Sequence, residues 1–371
     1  MDTISLTIDD KPVTVKNGAT VLEAAQEADI YIPTLCAHPD LIPFGGCRLC
    51  ITEIEGMRGF PPTCTTPATE GMVVHTNTER VNNLRRNILE LLLTEHPHPC
   101  LTCERLEKCG PGDICLRNVA VTERCVLCPK NGRCELQRVA RYIGIKEVRL
   151  PFQWKELPIL TEDPFFDRDY NLCILCGRCV RVCQEVRGAA AVAFTYRGSQ
   201  ALVGTVFGRS LEDSGCQFCG ACVDACPTGA LVERENKWVG PGDHTVATIC
   251  PYCGVGCTLD LEIKDGHIIR VHPDREGPAN HGQACVKGKF GLGFINDEAR
   301  LTSPLIKRNG RFEQASWDEA LDLVATKLAN YKGDQFAAIS SAKATNEENY
   351  LIQKFARAVM GTNNVDHCAR L

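Results

Sequence analysis

Cysteine runs with short, repeated spacing constrain this 371-residue chain more than any other feature. Two runs follow one another: Cys173-x2-Cys176-x2-Cys179-x3-Cys183 and Cys216-x2-Cys219-x2-Cys222-x3-Cys226, the second followed by proline. Bacterial ferredoxins have this spacing, and in them the fourth cysteine of each run binds the cluster of the other run. The runs therefore predict two [4Fe–4S] clusters, with the ligand sets Cys173, Cys176, Cys179, Cys226 and Cys216, Cys219, Cys222, Cys183.

Composition narrows the class of protein further. The 24 cysteines occur in C-x2-C pairs, which favour metal ligation, because a disulfide between residues so close would be strained. The sequence shows no secretory signal and no run of 18 apolar residues, so we expect a cytoplasmic protein without a membrane span. A net charge of -5 argues against a nucleic-acid partner.

The first 78 residues predict a β-grasp domain that binds a [2Fe–2S] cluster. Residues 3–8 and 12–15 have strand patterns, and Thr20 with Glu23 forms a capping box for a helix over 21–28. A loop with four cysteines follows: Cys36, Cys47, Cys50 and Cys64. A zinc ribbon is the alternative, but such sites use two C-x2-C knuckles and this loop has one.

Residues 79–150 predict a helix followed by two further metal sites. In the helix, over 79–95, the spacing places Val81, Leu84, Ile88, Leu91 and Leu92 on the packed face. After it, the spacing suggests one [4Fe–4S] site with a histidine ligand, at His96, Cys100, Cys103 and Cys109, with His98 as a weaker candidate. The same spacing recurs in a second set, which predicts a further [4Fe–4S] cluster or a zinc ion: Cys115, Cys125, Cys128 and Cys134.

The remainder completes an α+β, multi-domain architecture. We assign 151–240 to the ferredoxin domain, 244–300 to a four-cysteine domain and 301–371 to the start of an α/β domain, with a linker at 240–242. The four-cysteine domain combines a hairpin that turns at Asp265-Gly266 with a [4Fe–4S] site. Its ligands are Cys250, Cys253, Cys257 and Cys285. In the α/β segment, 336–341 predicts a buried strand and 346–360 a helix.

These motifs resemble two known families. Up to about residue 235 the chain resembles the large iron–sulfur subunit of NADH:quinone oxidoreductase and the front of [FeFe]-hydrogenases. The pattern from Cys250 to Cys285, followed by Val-Lys-Gly-Lys-Phe-Gly, resembles the [4Fe–4S] domain of molybdopterin oxidoreductases. In the first family a single cysteine triad precedes Glu-Leu-Gln. Here Glu135-Leu136-Gln137 follows the second triad, which leaves open which triad His96 joins.

Together the two resemblances point to the catalytic subunit of cytoplasmic formate dehydrogenases of anaerobic metabolism. They imply one [2Fe–2S] cluster, four or five [4Fe–4S] clusters and a molybdenum or tungsten bis-molybdopterin guanine dinucleotide. They also imply a partner subunit that accepts the electrons, either a flavin- and NAD(P)-binding iron–sulfur subunit or one of hydrogenase or ferredoxin type. In that family the lysine at the position of Lys287 lies between cluster and pterin, whereas the residues alone favour a solvated charge there.

The last residues carry a separate expectation. The stretch 361–371 resembles the family segment before the metal-binding residue, which is commonly selenocysteine, and Cys368 belongs to no predicted cluster. We therefore expect this chain to be the front part of a longer selenoprotein and to be inactive on formate by itself. The alternatives are a non-catalytic electron-transfer subunit that is complete at Leu371, or another molybdopterin enzyme such as a nitrate reductase. No G-x-G-x-x-G unit is present, so nicotinamide is expected to bind a partner.

Overall fold

The computed structural model describes residues 3–342 and 344–368. It contains two compact units, 1–241 and 242–371, which divide within the Gly-Pro-Gly segment expected to be a linker. The helices are α1 Val21–Glu27, α2 Glu79–Leu93, α3 Glu135–Ile143, α4 Arg178–Arg181, α5 Ala221–Ala225, α6 Val286–Phe290, α7 Trp317–Leu328 and α8 Asn346–Ala358. The strands of the first unit are β1 Thr3–Ile8, β2 Lys11–Lys16, β3 Glu53–Ile54, β4 Val73–His75, β5 Phe166–Arg168, β6 Ala193–Thr195, β7 Leu202–Gly204 and β8 Leu231–Glu233. Those of the second unit are β9 His244–Ile249, β10 Thr258–Lys264, β11 His267–Pro273, β12 Leu305–Arg308, β13 Arg311–Gln314, β14 Ala338–Ser341 and β15 Val365–Cys368.

The N-terminal sheet supports the first cysteine loop. Its strand order is β2-β1-β4-β3, with β1 antiparallel to β2 and parallel to β4. Ile8 and Val74 are fully buried under α1, whose capping box joins Thr20 and Glu23 as the sequence predicts. The loop from residue 32 to residue 68 thus leaves a well-packed sheet and returns to it.

Helix α2 confirms the predicted helix but not its predicted buried face. The buried positions are Val81, Arg85, Leu89, Glu90 and Leu93, while Leu91 is 62% exposed. Residues four apart lie on one side of a helix, so the inward side is the row that contains Arg85. The prediction counted only apolar residues and therefore rotated the helix away from its true contact side.

The ferredoxin segment repeats one local conformation. Leu175 and Phe218 have positive φ values of 52° and 48°, and each is followed two positions later by a left-handed glycine, Gly177 or Gly220. A short helix begins immediately after each glycine. The two cysteine runs therefore form the same turn twice, and each turn places its third cysteine inside a helix.

In the second unit, β9, β10 and β11 form an antiparallel sheet with β10 in the centre. The predicted hairpin is β10–β11, and strand β9 is an addition that the sequence patterns did not reveal. Leu259 on the central strand is fully buried. At the sheet, Glu262 accepts two charged hydrogen bonds from Arg270, at 2.6 and 2.9 Å.

The segment after residue 300 forms local structure with little burial. A β12–β13 hairpin precedes α7, and β14 pairs in parallel with β15 across α8, which makes a β-α-β unit rather than the predicted single strand and helix. The expectation that 336–341 is a buried strand is wrong for the described residues, because Ile339 is 81% exposed.

Candidate metal centres

The first candidate centre brings together the four cysteines of the N-terminal loop. Cys36, Cys47, Cys50 and Cys64 are all buried. The sulfur atoms of Cys50 and Cys64 are 3.4 Å apart, and the amide of Cys47 donates to the sulfur of Cys36 at 3.3 Å. The adjacent thiol of Cys47 lowers the pKa of Cys36 to about 6, and that of Cys64 lowers the pKa of Cys50 to about 7. The thiols therefore act on one another, as a shared thiolate site requires.

The second candidate centre surrounds a cavity of about 640 Å³. His96, Cys125, Cys128 and Cys134 all line it. His96 is 7% exposed, and burial lowers its pKa to about 4, so its ring is neutral at pH 7. Its Nδ1 lies 2.9 Å from the carbonyl oxygen of Pro97. Nδ1 is then the donor, which leaves Nε2 with a lone pair for a metal, as second-shell carbonyls do in metal sites.

The third candidate centre is a separate, smaller cavity of about 40 Å³. It is lined by the remaining cysteines of the middle region: Cys100, Cys103, Cys109 and Cys115. Arg117 closes one side by donating to the Pro99 and Thr102 carbonyls at 2.8 and 2.7 Å. The cavities thus divide these residues differently from the spacing, since His96 lines the cavity of the second triad and Cys115 that of the first. His98 lines neither cavity, and its Nδ1 donates to the Leu93 carbonyl at 3.0 Å.

The ferredoxin cysteines group as the exchanged runs predict. Burial raises the pKa of Cys222, and the thiols of Cys219, Cys216 and Cys183 raise it further. A cavity of about 30 Å³ is lined by the same four cysteines. For Cys179 the corresponding neighbours are Cys176, Cys226 and Cys173.

Arginine N–H groups accompany this pair of sites. The Nε atoms of Arg178 and Arg187 are buried and have no hydrogen-bond partner among the described residues. Arg187 also lines the ferredoxin cavity. Unpaired buried donors are costly, and cluster sulfurs accept hydrogen bonds. The donor set of the ferredoxin region therefore fits an anionic sulfur cluster.

Contacts within the first unit link the centres to one another. The amide of Cys125 donates to the sulfur of Cys100 at 3.3 Å, which joins the second and third centres. The turn after Cys226 meets the second centre, because a Cβ on Gly229 would lie 2.7 Å from the sulfur of Cys128. Glycine is required at this close approach.

Two arginines of α4 extend these links. Arg178 forms two hydrogen bonds with the carboxylate of Glu135, the residue after Cys134, at 2.7 and 3.0 Å. Arg181 donates to the carbonyl oxygen of Cys36 at 2.5 Å and stacks over Phe44. The helix that carries Cys179 is thereby tied to the first centre on one side and to the second centre on the other.

The second unit holds a separate four-cysteine group. Burial raises the pKa of Cys250, and the thiols of Cys257, Cys285 and Cys253 also raise it. Cys285 is the N-terminal cap of α6, and a Cβ on Gly288 of that helix would lie 3.6 Å from the sulfur of Cys250. Small residues in α6 therefore let the helix approach the group.

The two lysines of α6 differ. Lys287, the residue with an expected role beside a pterin, is exposed. Lys289 is 1% exposed, and its ammonium donates to the carbonyl oxygen of Val271. No sequence pattern pointed to Lys289, because burying an ammonium on a carbonyl depends on the β11 strand packing against the helix.

Comparison with known families assigns every one of these segments. Residues 1–79 match the 2Fe-2S iron-sulfur cluster binding domain, 85–110 and 122–149 the NADH-ubiquinone oxidoreductase-G iron-sulfur binding region, and 163–232 the ferredoxin-like domain of NADH-quinone oxidoreductase subunit 3. Residues 243–297 match the molybdopterin oxidoreductase Fe4S4 domain, and 300–371 match molybdopterin oxidoreductase. The chain belongs to the iron–sulfur molybdopterin oxidoreductases. The match to the NADH-ubiquinone oxidoreductase-G region omits 111–121, which contains Cys115 and lies in the wall of the third centre.

Similar full-length proteins point to several activities. The chain is 35% identical, over 99% of its length, to the NADPH-Fe(3+) oxidoreductase subunit alpha of Geobacter sulfurreducens. It is 37% identical to the G 2 subunit of the NADH-quinone oxidoreductase of Rhizobium meliloti over 99% of its length, covering 40% of each of these two relatives. A Staphylococcus haemolyticus protein named, provisionally, as a formate dehydrogenase is 30% identical over 98% of this chain and 39% of its own length. The chain thus spans about 40% of the relatives it matches.

A solved structure gives the same relationship. An NAD+-reducing [NiFe]-hydrogenase in the H2-reduced state is 31% identical and superposes with a TM-score of 0.51, over 62% of this chain and 87% of that chain. None of the helices in 3–342 and 344–368 is long and apolar enough to cross a membrane.

Proposed function

We propose that the chain is the electron-transfer portion of a cytoplasmic formate dehydrogenase that passes electrons to a partner subunit. The contact series in the first unit supports this most directly, because hydrogen bonds and close contacts join each sulfur centre to the next. Bound clusters would supply one-electron transfer between these positions. The protein contributes the thiolates, the neutral imidazole, buried surroundings and arginine donors that hold the centres in register.

The cavities support a revised assignment of ligands in the middle region. We infer a [4Fe–4S] site at His96, Cys125, Cys128 and Cys134, and a second at Cys100, Cys103, Cys109 and Cys115. Zinc is the rival occupant of the second set. A zinc ion would draw four sulfurs to within ~3.8 Å of one another. Among the described side chains, no three metal-binding groups converge on a single-ion site, which favours a cluster with its wider corners.

Paired substitutions test the assignment in the anaerobically purified full-length protein. His96→Ala and Cys134→Ser should alter the same low-temperature EPR signal, and Cys109→Ser should alter a different one. His98→Ala, the matched control, should leave all the signals unchanged. If His96→Ala and Cys109→Ser alter the same signal, the grouping by sequence spacing is right and the cavity grouping is refuted.

Formate as the substrate rests on the molybdopterin oxidoreductase segments and on a relative provisionally named for that activity. The active-site metal, molybdenum or tungsten on a bis-molybdopterin guanine dinucleotide, would be held mainly by the remaining part of the subunit. Lys287, on the exposed side of α6, is the residue we assign to the pterin side of the Cys250 group. Full-length enzyme that reduces a viologen dye with formate supports this function, whereas full-length enzyme that reduces the dye only with NADPH refutes it.

NAD(P)H-linked electron transfer is the second candidate, favoured by the Geobacter and Rhizobium relatives and by the hydrogenase structure. In that case the chain would accept electrons from a flavin-binding partner and would not need formate. Copurified partners and their cofactors distinguish the two candidates.

The expected selenocysteine is tested by the gene. Leu371 lies outside the described residues. An in-frame UGA codon directly after the Leu371 codon, followed by a long coding sequence, supports a selenoprotein, and UAA or UAG refutes it.

A further inference from the structure

Arg85 is a fully buried cation in the middle of α2. Its side chain has 0% exposure. The guanidinium donates from Nε to the Leu49 carbonyl at 3.1 Å, and from its two terminal nitrogens to the Thr76 and Ile51 carbonyls at 2.9 and 2.8 Å. Each arm of the planar fork therefore has a backbone oxygen, which fixes the position of the charge.

Backbone carbonyls orient Arg85 but leave its charge uncompensated. No carboxylate forms an ion pair with it among the described residues. The nearest acid that acts on it is Asp9, whose carboxylate accepts from the amide and hydroxyl of Thr76. Burial lowers the pKa of Arg85, and Tyr142, Cys50 and Asp9 partly offset that effect. An isolated buried charge is expensive, so its retention calls for an anion at this place.

The position of Arg85 identifies that anion. Leu49 and Ile51, which accept two of its three hydrogen bonds, stand on either side of Cys50. Cys50 is a predicted ligand of the first centre and is itself buried. A [2Fe–2S] cluster held by four thiolates is anionic, and it gains one more negative charge when it is reduced.

We propose that Arg85 is the resident counter-cation of the [2Fe–2S] cluster at Cys36, Cys47, Cys50 and Cys64 and that it raises the reduction potential of this cluster. The proposal rests on the proposed ligand set of the first centre. The step is a one-electron reduction in which the electron comes from a neighbouring cluster and no bond or proton is exchanged. Because the attraction between cation and cluster is larger in the reduced state, Arg85 favours that state.

The rival is a purely structural role, in which Arg85 only ties α2 to the cysteine loop. Replacement with lysine keeps a buried charge but removes the three-armed fork. Replacement with methionine or glutamine removes the charge and keeps the volume similar. Arg80 is the matched control, since it lies on the same helix, pairs with Glu53 at 2.8 Å and has a 75% exposed side chain.

The test is an EPR-monitored redox titration of the [2Fe–2S] signal in the full-length protein and in these variants. We expect Arg85→Met and Arg85→Gln to lower the ratio of reduced to oxidised cluster at a fixed potential about tenfold, which is ~59 mV for a one-electron couple. Arg85→Lys should recover most of this loss, and Arg80→Gln should leave the potential unchanged.

The outcomes separate the proposals. Neutral variants that keep the cluster at an unchanged potential overturn the role of Arg85. If both neutral variants lose the cluster, retention in Arg85→Lys supports the requirement for charge, and loss in all three variants overturns it. A wild-type protein that never shows a [2Fe–2S] signal refutes the ligand set of the first centre instead.

Discussion

The first unit and the segment after residue 300 use similar local signals but bury very different amounts of their side chains. Helix α2 begins at a Thr78 cap and buries five residues, whereas α7 begins at a Ser316 cap and buries none. Helix α8 has a full capping box and buries only Ala356. Caps and periodicity therefore specify where helices begin in both regions, but only the first unit supplies packing partners for their apolar sides.

The exposed apolar residues show what the second region lacks. Trp317, Leu321 and Val324 of α7 are 67%, 58% and 51% exposed. In the first unit, by contrast, apolar residues such as Leu35, Leu49 and Leu136 are fully buried beside the cysteines. Because the relatives are about two and a half times longer, we infer that further chain of the molybdopterin oxidoreductase type covers α7 and α8 in a full-length protein.

The largest expected difference is in hydrogen exchange. In the 371-residue chain, amides of α7 and α8 should exchange at least about a hundredfold faster than those of α2, since stability is lowest where buried apolar contacts are few. Peptide-resolved exchange with mass spectrometry measures this, and α2 serves as the internal standard. Equal protection in the three helices would contradict the contrast between the regions.

A buried ion pair should be the next most sensitive feature of the first unit. Arg178→Gln leaves Glu135 without its two charged hydrogen bonds, and we expect a loss of roughly 3 kcal/mol in the free energy of unfolding of this unit. Denaturant unfolding of the cluster-loaded protein, followed by cluster absorbance, measures the loss. Arg138→Gln, at a 69% exposed side chain near the same acid, is the control. Equal losses would show that the Arg178 pair contributes no more than a surface charge.

Acid should weaken the sheet of the second unit. Burial opposes ionisation of Glu262, but hydrogen bonds from Arg270 and His272 outweigh it and hold the pKa of Glu262 well below its usual range. Its folded pKa is thus depressed, so the stabilisation is present above the unfolded value of about 4.3 and is lost as pH falls below it.

Glu262→Gln should therefore cost about 2 kcal/mol at pH 7 and little at pH 2. Thermal unfolding of the sheet, followed by circular dichroism as a function of pH, measures this. Glu276→Gln, at an exposed position, is the control. A pH-independent cost would contradict the role of the ionised carboxylate.

The smallest effect is expected at the surface of the N-terminal domain. Arg80→Gln removes an exposed pair with Glu53, and such pairs contribute less than about 1 kcal/mol. The free energy of unfolding of the cluster-loaded protein should hardly change. A large loss would mean that exposed charges, and not only buried ones such as Arg85, support the first centre.

The sequence predicted the features that depend on local spacing. The capping box at Thr20, the hairpin around Asp265-Gly266 and the exchange of Cys183 and Cys226 between clusters all follow from residues near one another in a known pattern. The partner of His96 could not be predicted in this way, because two triads share one spacing. It depends on which triad lines the cavity beside the distant residue Gly229.

Arg85 and Lys289 escaped prediction for a related reason. A search for apolar periodicity treats a cation as exposed, whereas backbone carbonyls from distant segments accept hydrogen bonds from these two. Buried cations at such positions become visible only when the surrounding backbone is placed. The buried side of α2 was misjudged through the same omission.

Metal content tests the central claim, that this chain holds a connected series of clusters, most directly. Iron, labile sulfide and zinc should be measured per chain after anaerobic purification or reconstitution. One [2Fe–2S] cluster and five [4Fe–4S] clusters predict about 22 iron atoms with matching sulfide and no zinc. Four fewer iron atoms together with one zinc per chain would contradict the cluster at Cys100, Cys103, Cys109 and Cys115, and with it the series of six.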